Sequence, residues 1–137
     1  MARKLHRLLV PLAAAAFATA PMAAPAQAAT GYDRCPDDHY CMFSGLDGTG
    51  DMIAIQADTP DLGALGMDNR AKSDWNRTDE RIHLFSDTNY TGCSAVTAPS
   101  GSPSDRGNFY IDFRDYFSSV RIGGEGGRSC TPPPGEG

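Results

Sequence analysis

The segment Phe43-Ser44-Gly45-Leu46-Asp47-Gly48-Thr49-Gly50 aligns without gaps on Phe85-Ser86-Asp87-Thr88-Asn89-Tyr90-Thr91-Gly92, 42 residues further along the chain. Each copy begins on an aromatic residue at the end of a strand-like run, continues through small and polar residues, and ends on glycine. Such a segment makes a hairpin whose tip folds back over its own strands. The glycine is required because the chain must turn through positive φ, which costs a residue bearing a Cβ about 1–2 kcal/mol. In the second copy Phe85 and Tyr90 can cover the folded tip with aromatic surface. A serine-bearing turn follows each hairpin, Asp68-Asn69-Arg70-Ala71-Lys72-Ser73 and Arg114-Asp115-Tyr116-Phe117-Ser118-Ser119. A period of just over 40 residues used twice predicts two copies of one supersecondary unit packed about a pseudo-twofold axis.

Around these hairpins Gly, Pro, Asp, Asn and Ser interrupt the chain every 6 to 12 residues, which leaves no room for helices of three turns. The apolar runs between them are short and rich in Ile, Val, Phe and Tyr. Residues 39–44, 52–56, 81–86, 93–97 and 118–122 read as strands of an all-β domain. Asp61-Leu62-Gly63-Ala64-Leu65-Gly66-Met67 has room for a single helical turn, its interior glycines opposing more.

The ends of the chain read differently. Arg3, Lys4 and Arg7 precede an apolar run from Leu8 to Ala20 that is too short to span a bilayer, and Ala26-Gln27-Ala28 fits the small-x-small rule for cleavage. Residues 1–28 are therefore expected to be a secretory signal, residues 29–130 one folded domain, and residues 131–137 a flexible tail. The glycine-rich run 123–128 reads as equally flexible, tethered only at Cys130. Taking 28 residues from 137 leaves 109, enough for one modest core and no second domain. Three of the 12 basic residues fall in the signal, leaving nine against 17 acidic ones. That balance argues against nucleic acid and anionic membrane as partners, and a monomer is expected.

All four cysteines, Cys35, Cys41, Cys93 and Cys130, follow the cleavage site, and an even count in an exported small domain reads as two disulfides. Four cysteines permit three pairings. Sequence proximity favours Cys35 with Cys41, leaving Cys93 with Cys130, in loops of 7 and 38 residues. On a chain-entropy model these closures contribute about 2.4 and about 3.9 kcal/mol. A four-thiolate metal site is disfavoured by the oxidising compartment and the absence of a C-x-x-C pair.

No catalytic pattern is present. The sequence has no H-E-x-x-H, G-x-S-x-G or phosphate-cradling loop, so an enzyme is not expected. His83 alternates with Ile82 and Leu84 and is expected to face solvent, and Trp75, near a strand end, is expected in the core.

Phe85-x-x-x-x-Tyr90-x-Gly92 resembles the βγ-crystallin Greek-key signature, and the serine turns resemble that family's second element. The order Cys35-Pro36, Cys41, first hairpin, Ser73-x-Trp75-Asn76-Arg77-Thr78, second hairpin and Ser118-Ser119-Val120-Arg121-Ile122 is similar to the secreted actinobacterial proteins grouped with the streptomycete metalloproteinase inhibitor. The resemblance covers Cys35 to about Ile122. It implies a two-motif Greek-key β-sandwich of about eight short strands. It also implies a secreted, extracellular inhibitor of thermolysin-like zinc metalloendopeptidases that inserts a loop into the active cleft.

The type inhibitor of that group holds its reactive bond in a small disulfide loop, of which only the first cysteine has a counterpart here, at Cys93, with Thr97 and Ala98 near the second position. The segment implied for contact is Cys93, Ser94, Ala95 and Val96, held by the bond to Cys130. Two other readings of the scaffold are a structural or weakly calcium-binding crystallin module and a small secreted antimicrobial toxin. Crystallin modules bind calcium through turns of the form Asn/Asp-Asn/Asp-x-x-Ser/Thr-Ser. The first turn here keeps Asp68, Asn69 and Ser73 but carries Lys72 at the ligand hydroxyl; the second keeps Asp115, Ser118 and Ser119 but starts with Arg114. A cation in the shell opposes a hard metal ion, so weak or absent calcium binding is expected, and no other cofactor.

Overall fold

The computed structural model describes residues 30–131 together with Ala15. The expected signal and its cleavage site, apart from Ala15, and the tail from residue 132 lie outside the described residues. Eight short strands form two four-stranded sheets: β1 (Tyr40–Phe43), β2 (Met52–Ile55), β3 (Ser73–Asn76), β4 (Ile82–Phe85), β5 (Cys93–Thr97), β6 (Arg106–Asn108), β7 (Ser119–Ile122) and β8 (Arg128–Ser129). The first sheet runs β2-β1-β3-β6 and the second β7-β4-β5-β8, all antiparallel except β8, which lies parallel to β5. The only helices among the described residues are single 3-10 turns. One spans Leu62–Leu65, capped by the Asp61 side chain at its start and by Gly66 at φ 72 at its end.

The 42-residue repeat is a repeat of structure. β1 pairs with β2 as Phe43 to Met52, and β4 pairs with β5 as Phe85 to Ser94, one repeat on. At the two tips Asp47 and Asn89 take φ 54 and 56, and the closing Gly50 and Gly92 take φ 76 and 78. A serine locks each tip. Ser73 Oγ donates to Gly45 O at 2.7 Å and accepts from Gly48 N–H at 3.0 Å; Ser119 Oγ donates to Asp87 O at 2.6 Å and accepts from Tyr90 N–H at 3.0 Å. Each buried serine thus uses its hydroxyl both ways on a hairpin tip whose backbone groups have no ladder partner. The motifs also exchange an edge. β6, from the second motif, pairs with β3 of the first, and Thr59 of the first bridges Val120 of β7.

Alternation along the strands fills the space between the sheets. Tyr40, Met42, Ile82, Leu84 and Val120 point inward and pack with Leu62, Met67, Ala71 and Phe117. On the other side of β1, Cys41 and Phe43 are also fully buried, because the arm before β1 folds over them, with Tyr32 meeting Phe43 edge-on at 5.4 Å between ring centroids. The other side of β4 is covered in the same manner. Residues 123–129 return across it, with Gly126 against His83 and Gly127 against Phe85. Each covering arm is fastened by a disulfide, Cys35–Cys41 at the front and Cys93–Cys130 at the back. Both disulfides are those that sequence proximity favoured.

Three sequence expectations are corrected. The glycine-rich run after β7 is a strap, ending in β8 on Cys93 and Ser94, rather than a free tail. His83 does lie on the face opposite Ile82 and Leu84, but the strap covers it and leaves it 7% exposed. Trp75 is half-buried on the outer face of the first sheet instead of in the core, where the guanidinium groups of Arg77 and Arg106 lie 4.6 and 5.1 Å from its ring.

Candidate functional site

The segment Cys93-Ser94-Ala95-Val96 is a paired strand, not a loop. It forms the body of β5, joined along its whole length to β4. Cys93 O accepts from Ser86 N–H on the β4 side, and Ser94 O accepts from Cys130 N–H on the outer side, each at 2.9 Å. Alternation then turns the backbone of Val96 outward, away from β4. The next outward group, Ala98 N–H, donates to Ser104 O at 3.4 Å. Among the described residues no strand pairs with β5 on this edge beyond Ser94. Val96 therefore occupies a gap in the sheet edge, 52% exposed, while Ser94 is buried with its Oγ accepting from Gly127 N–H at 2.9 Å.

The disulfide at Cys93 holds the start of this edge to the strap, and β4 holds the rest. The edge is thus fixed before any partner arrives, which spares a partner the cost of ordering it. Beyond it Tyr110 and Ile111 are 81% and 75% exposed, the most exposed of the large apolar side chains among the described residues. Val96 and Tyr110 line the same cavity.

The two serine turns meet and bond reciprocally. Asn69 N–H donates to Phe117 O at 3.0 Å, and Asp115 N–H to Ala71 O at 2.9 Å, with both donor residues at positive φ. The resemblance offered Asp68, Asn69, Ser73, Asp115 and Ser118 as degenerate calcium ligands, and several of their polar groups already have partners within the protein. Ser73 is committed to the hairpin tip, and Ser118 is buried with its backbone carbonyl accepting from Leu62 N–H. Asp68 accepts from its neighbour Asn69, and Lys72 Nζ occupies one Asp115 oxygen at 2.8 Å. Among the described residues no three His, Cys, Asp or Glu side chains converge as a metal set.

Sequence reasoning missed Asp74. It sits on the inward face of β3, opposite Met42, and is 4% exposed. Oδ2 accepts from Tyr40 Oη of β1 at 2.8 Å and from Thr97 Oγ1 of β5 at 2.5 Å, so one carboxyl oxygen ties three strands and both sheets. Burial pushes its pKa up to about 7, against the lowering effect of the bonds from Thr97 and Tyr40, and Asp105 adds to the rise. Burial and the Asp74 charge likewise hold the Tyr40 hydroxyl well above its usual range. No motif marks Asp74, because its significance rests on partners 34 and 23 residues away.

The fold has relatives among solved structures. One from work on the evolution of the eye-lens βγ-crystallin domain fold superposes with a TM-score of 0.53 at 15% identity, covering 64% of this chain and 88% of that one. A βγ-crystallin from Ciona intestinalis gives 0.53 at 17% identity, covering 61% and 98%, and a βγ-crystallin domain from Flavobacterium johnsoniae gives 0.51 at 21%, covering 61% and 91%. At such identities the likeness establishes the βγ-crystallin fold and nothing about activity. No curated protein sequence matches the chain. The sequence profile of Peptidase inhibitor family I36 matches residues 28–97, a span that includes the first motif and the first hairpin of the second and ends on the last residue of β5. By that match across half its length, the chain belongs to peptidase inhibitor family I36.

Proposed function

We propose that this protein is exported and, as a monomer outside the cell, inhibits zinc metalloendopeptidases of the thermolysin type, without chemistry of its own. The observation that carries this reading is the gap in the β5 edge at Val96, at the end of the span shared with the inhibitor family. Peptidases hold substrates as extended strands, and a fixed edge with an outward-turned backbone and an exposed aliphatic side chain offers that shape. An edge contact replaces the inserted loop as the mode of binding, since the implied segment is held in a sheet on one side and by Cys130 on the other.

The test is steady-state inhibition of thermolysin by purified protein starting at Ala29, beside a serine, a cysteine and an aspartic endopeptidase. Inhibition confined to the zinc enzyme, and weakened at least about tenfold by Val96→Asp, is the expected result, since a charge at the centre of a desolvated contact costs more than about 1.4 kcal/mol. Inhibition of a different mechanistic class would replace the target. No inhibition of any of the four at micromolar protein would remove this reading.

A further inference from the structure

A cavity of about 360 Å3 opens between the β3–β6 edge of one sheet and the β4–β5 edge of the other. That volume is at the lower end of small-molecule sites and suits a side chain or a compact amine. Its lining includes Phe109, Phe113 and Phe117 together with the exposed Tyr110 and Val96. Its polar lining residues include Thr97, Ser104, Arg106 and Asn108, and the one acid among them is Asp74.

That carboxyl is used asymmetrically. Both of its hydrogen bonds, from Tyr40 and Thr97, go to Oδ2, and among the described residues none reaches Oδ1. The nearby charges do not compensate it. Arg106 lines the same cavity, but its guanidinium lies over Tyr32 and Trp75, 5.7 and 5.1 Å from the ring centres, on the outer face of the first sheet. Asp105, before β6, adds negative potential at Asp74. Tyr40 from β1 and Thr97 from β5 are neutral donors, and His83 of β4 lies on the far side of its sheet. A concave site lined by an acid and three phenylalanines, whose one lining guanidinium is turned to the outer face of its sheet, is complementary to a cation borne on an apolar body.

We propose that this cavity binds a primary ammonium carried on an alkyl or arylalkyl body, the ammonium donating to Asp74 Oδ1 while the body packs on Phe109, Phe113 and Phe117. Two sources share that chemistry, a free amine and a lysine side chain of a docked protein. The site is independent of whether a peptidase is the partner. The gain from the contact is a charge-assisted bond to a carboxyl oxygen that has no protein partner among the described residues.

The test is a titration of the folded protein, followed by NMR shifts of the aromatic ring protons, with three probes: phenethylamine, N-acetyl-lysine methylamide and ethylbenzene, the hydrocarbon that phenethylamine leaves when its ammonium is removed. Phenethylamine or the lysine amide is expected to saturate shifts of the phenylalanine rings at millimolar concentration or below, with ethylbenzene at least about tenfold weaker, as a lost charge-assisted bond implies. Tighter binding of the lysine amide would point to a protein source, and tighter binding of phenethylamine to a free amine; each supports the site. Affinity for either amine should rise between pH 6 and pH 8 as the carboxyl gives up its proton, and Asp74→Asn should abolish that rise. Equal binding of ethylbenzene, or no ring shifts with any probe at about 10 mM, overturns the proposal. The comparison with ethylbenzene uses the unmutated protein and so holds even if Asp74→Asn fails to fold.

Discussion

Lys72 Nζ lies 2.8 Å from Asp115 Oδ1 and joins the serine turn of the first motif to that of the second. The ammonium stands at the position where the crystallin resemblance would put a metal-ligating hydroxyl. A divalent cation would have to displace it and would still find Ser73 committed elsewhere. Calorimetric titration is expected to show no calcium site tighter than ~10 μM, the range of sensor sites. Lys72→Ser should cost under about 1 kcal/mol in metal-free buffer, because the pair is partly solvated.

Asp74 makes stability depend on pH in the direction opposite to that of a surface carboxylate in an ion pair. Its folded pKa of about 7 lies above the usual value, so the native state holds a proton that the unfolded chain releases. Its contribution is fully present below about pH 4, declines as pH rises to about 7, and is flat above, a change on the order of 4 kcal/mol. Other acids titrate over the same range. The measurement is therefore the difference between wild type and Asp74→Asn in urea unfolding at pH 4, 5.5, 7 and 8. The wild type should lose ground to the variant across that interval and stop losing above it.

Both ring nitrogens of His83 are buried without a hydrogen-bond partner among the described residues. An unsatisfied buried polar group costs about 1–3 kcal/mol, so His83→Leu should stabilise the domain by about 1 kcal/mol or more, read as a raised urea midpoint with unchanged slope. Gly126→Ala should do the reverse, since a Cβ there would stand 2.5 Å from His83 Nδ1. Combined with His83→Ala, the same substitution should cost far less, which a double-mutant cycle would register as coupling.

Gly48 and Gly66 separate backbone strain from lack of space. Both sit at positive φ, 69 and 72, but a Cβ on Gly66 meets nothing within 4 Å, while one on Gly48 would stand 2.5 Å from the backbone nitrogen of Tyr32. Gly66→Ala should cost about 1 kcal/mol, and Gly48→Ala clearly more, because the arm over Phe43 must shift. Equal costs in thermal unfolding would show that the arm is not pressed against the hairpin tip.

The sequence revealed most where neighbours decide structure. The two hairpins, their glycines and the strand 93–97 were legible from residue type and spacing alone. β3 was not read as a strand, because its inward residues are Asp74 and Asn76, which are tolerated there only through distant partners. Asn76 alone uses Glu80 O, Ala98 O and the Thr78 backbone and hydroxyl. β6, Arg-Gly-Asn, has no apolar residue to announce it, and β8 lies in a glycine-rich run whose pairing depends on the bond at Cys130. The strand that carries the implied contact segment was legible, but the open point at Val96 depends on where β8 stops.

Both sheets are backed by an arm that arrives from outside and is fastened through sulfur. While the thiols are still reduced, nothing covalent keeps Tyr32 over Phe43 or the strap over Phe85, and a newly made chain would offer two oily backs to its surroundings. Oxidation is thus the step that fixes both covers over the sheets.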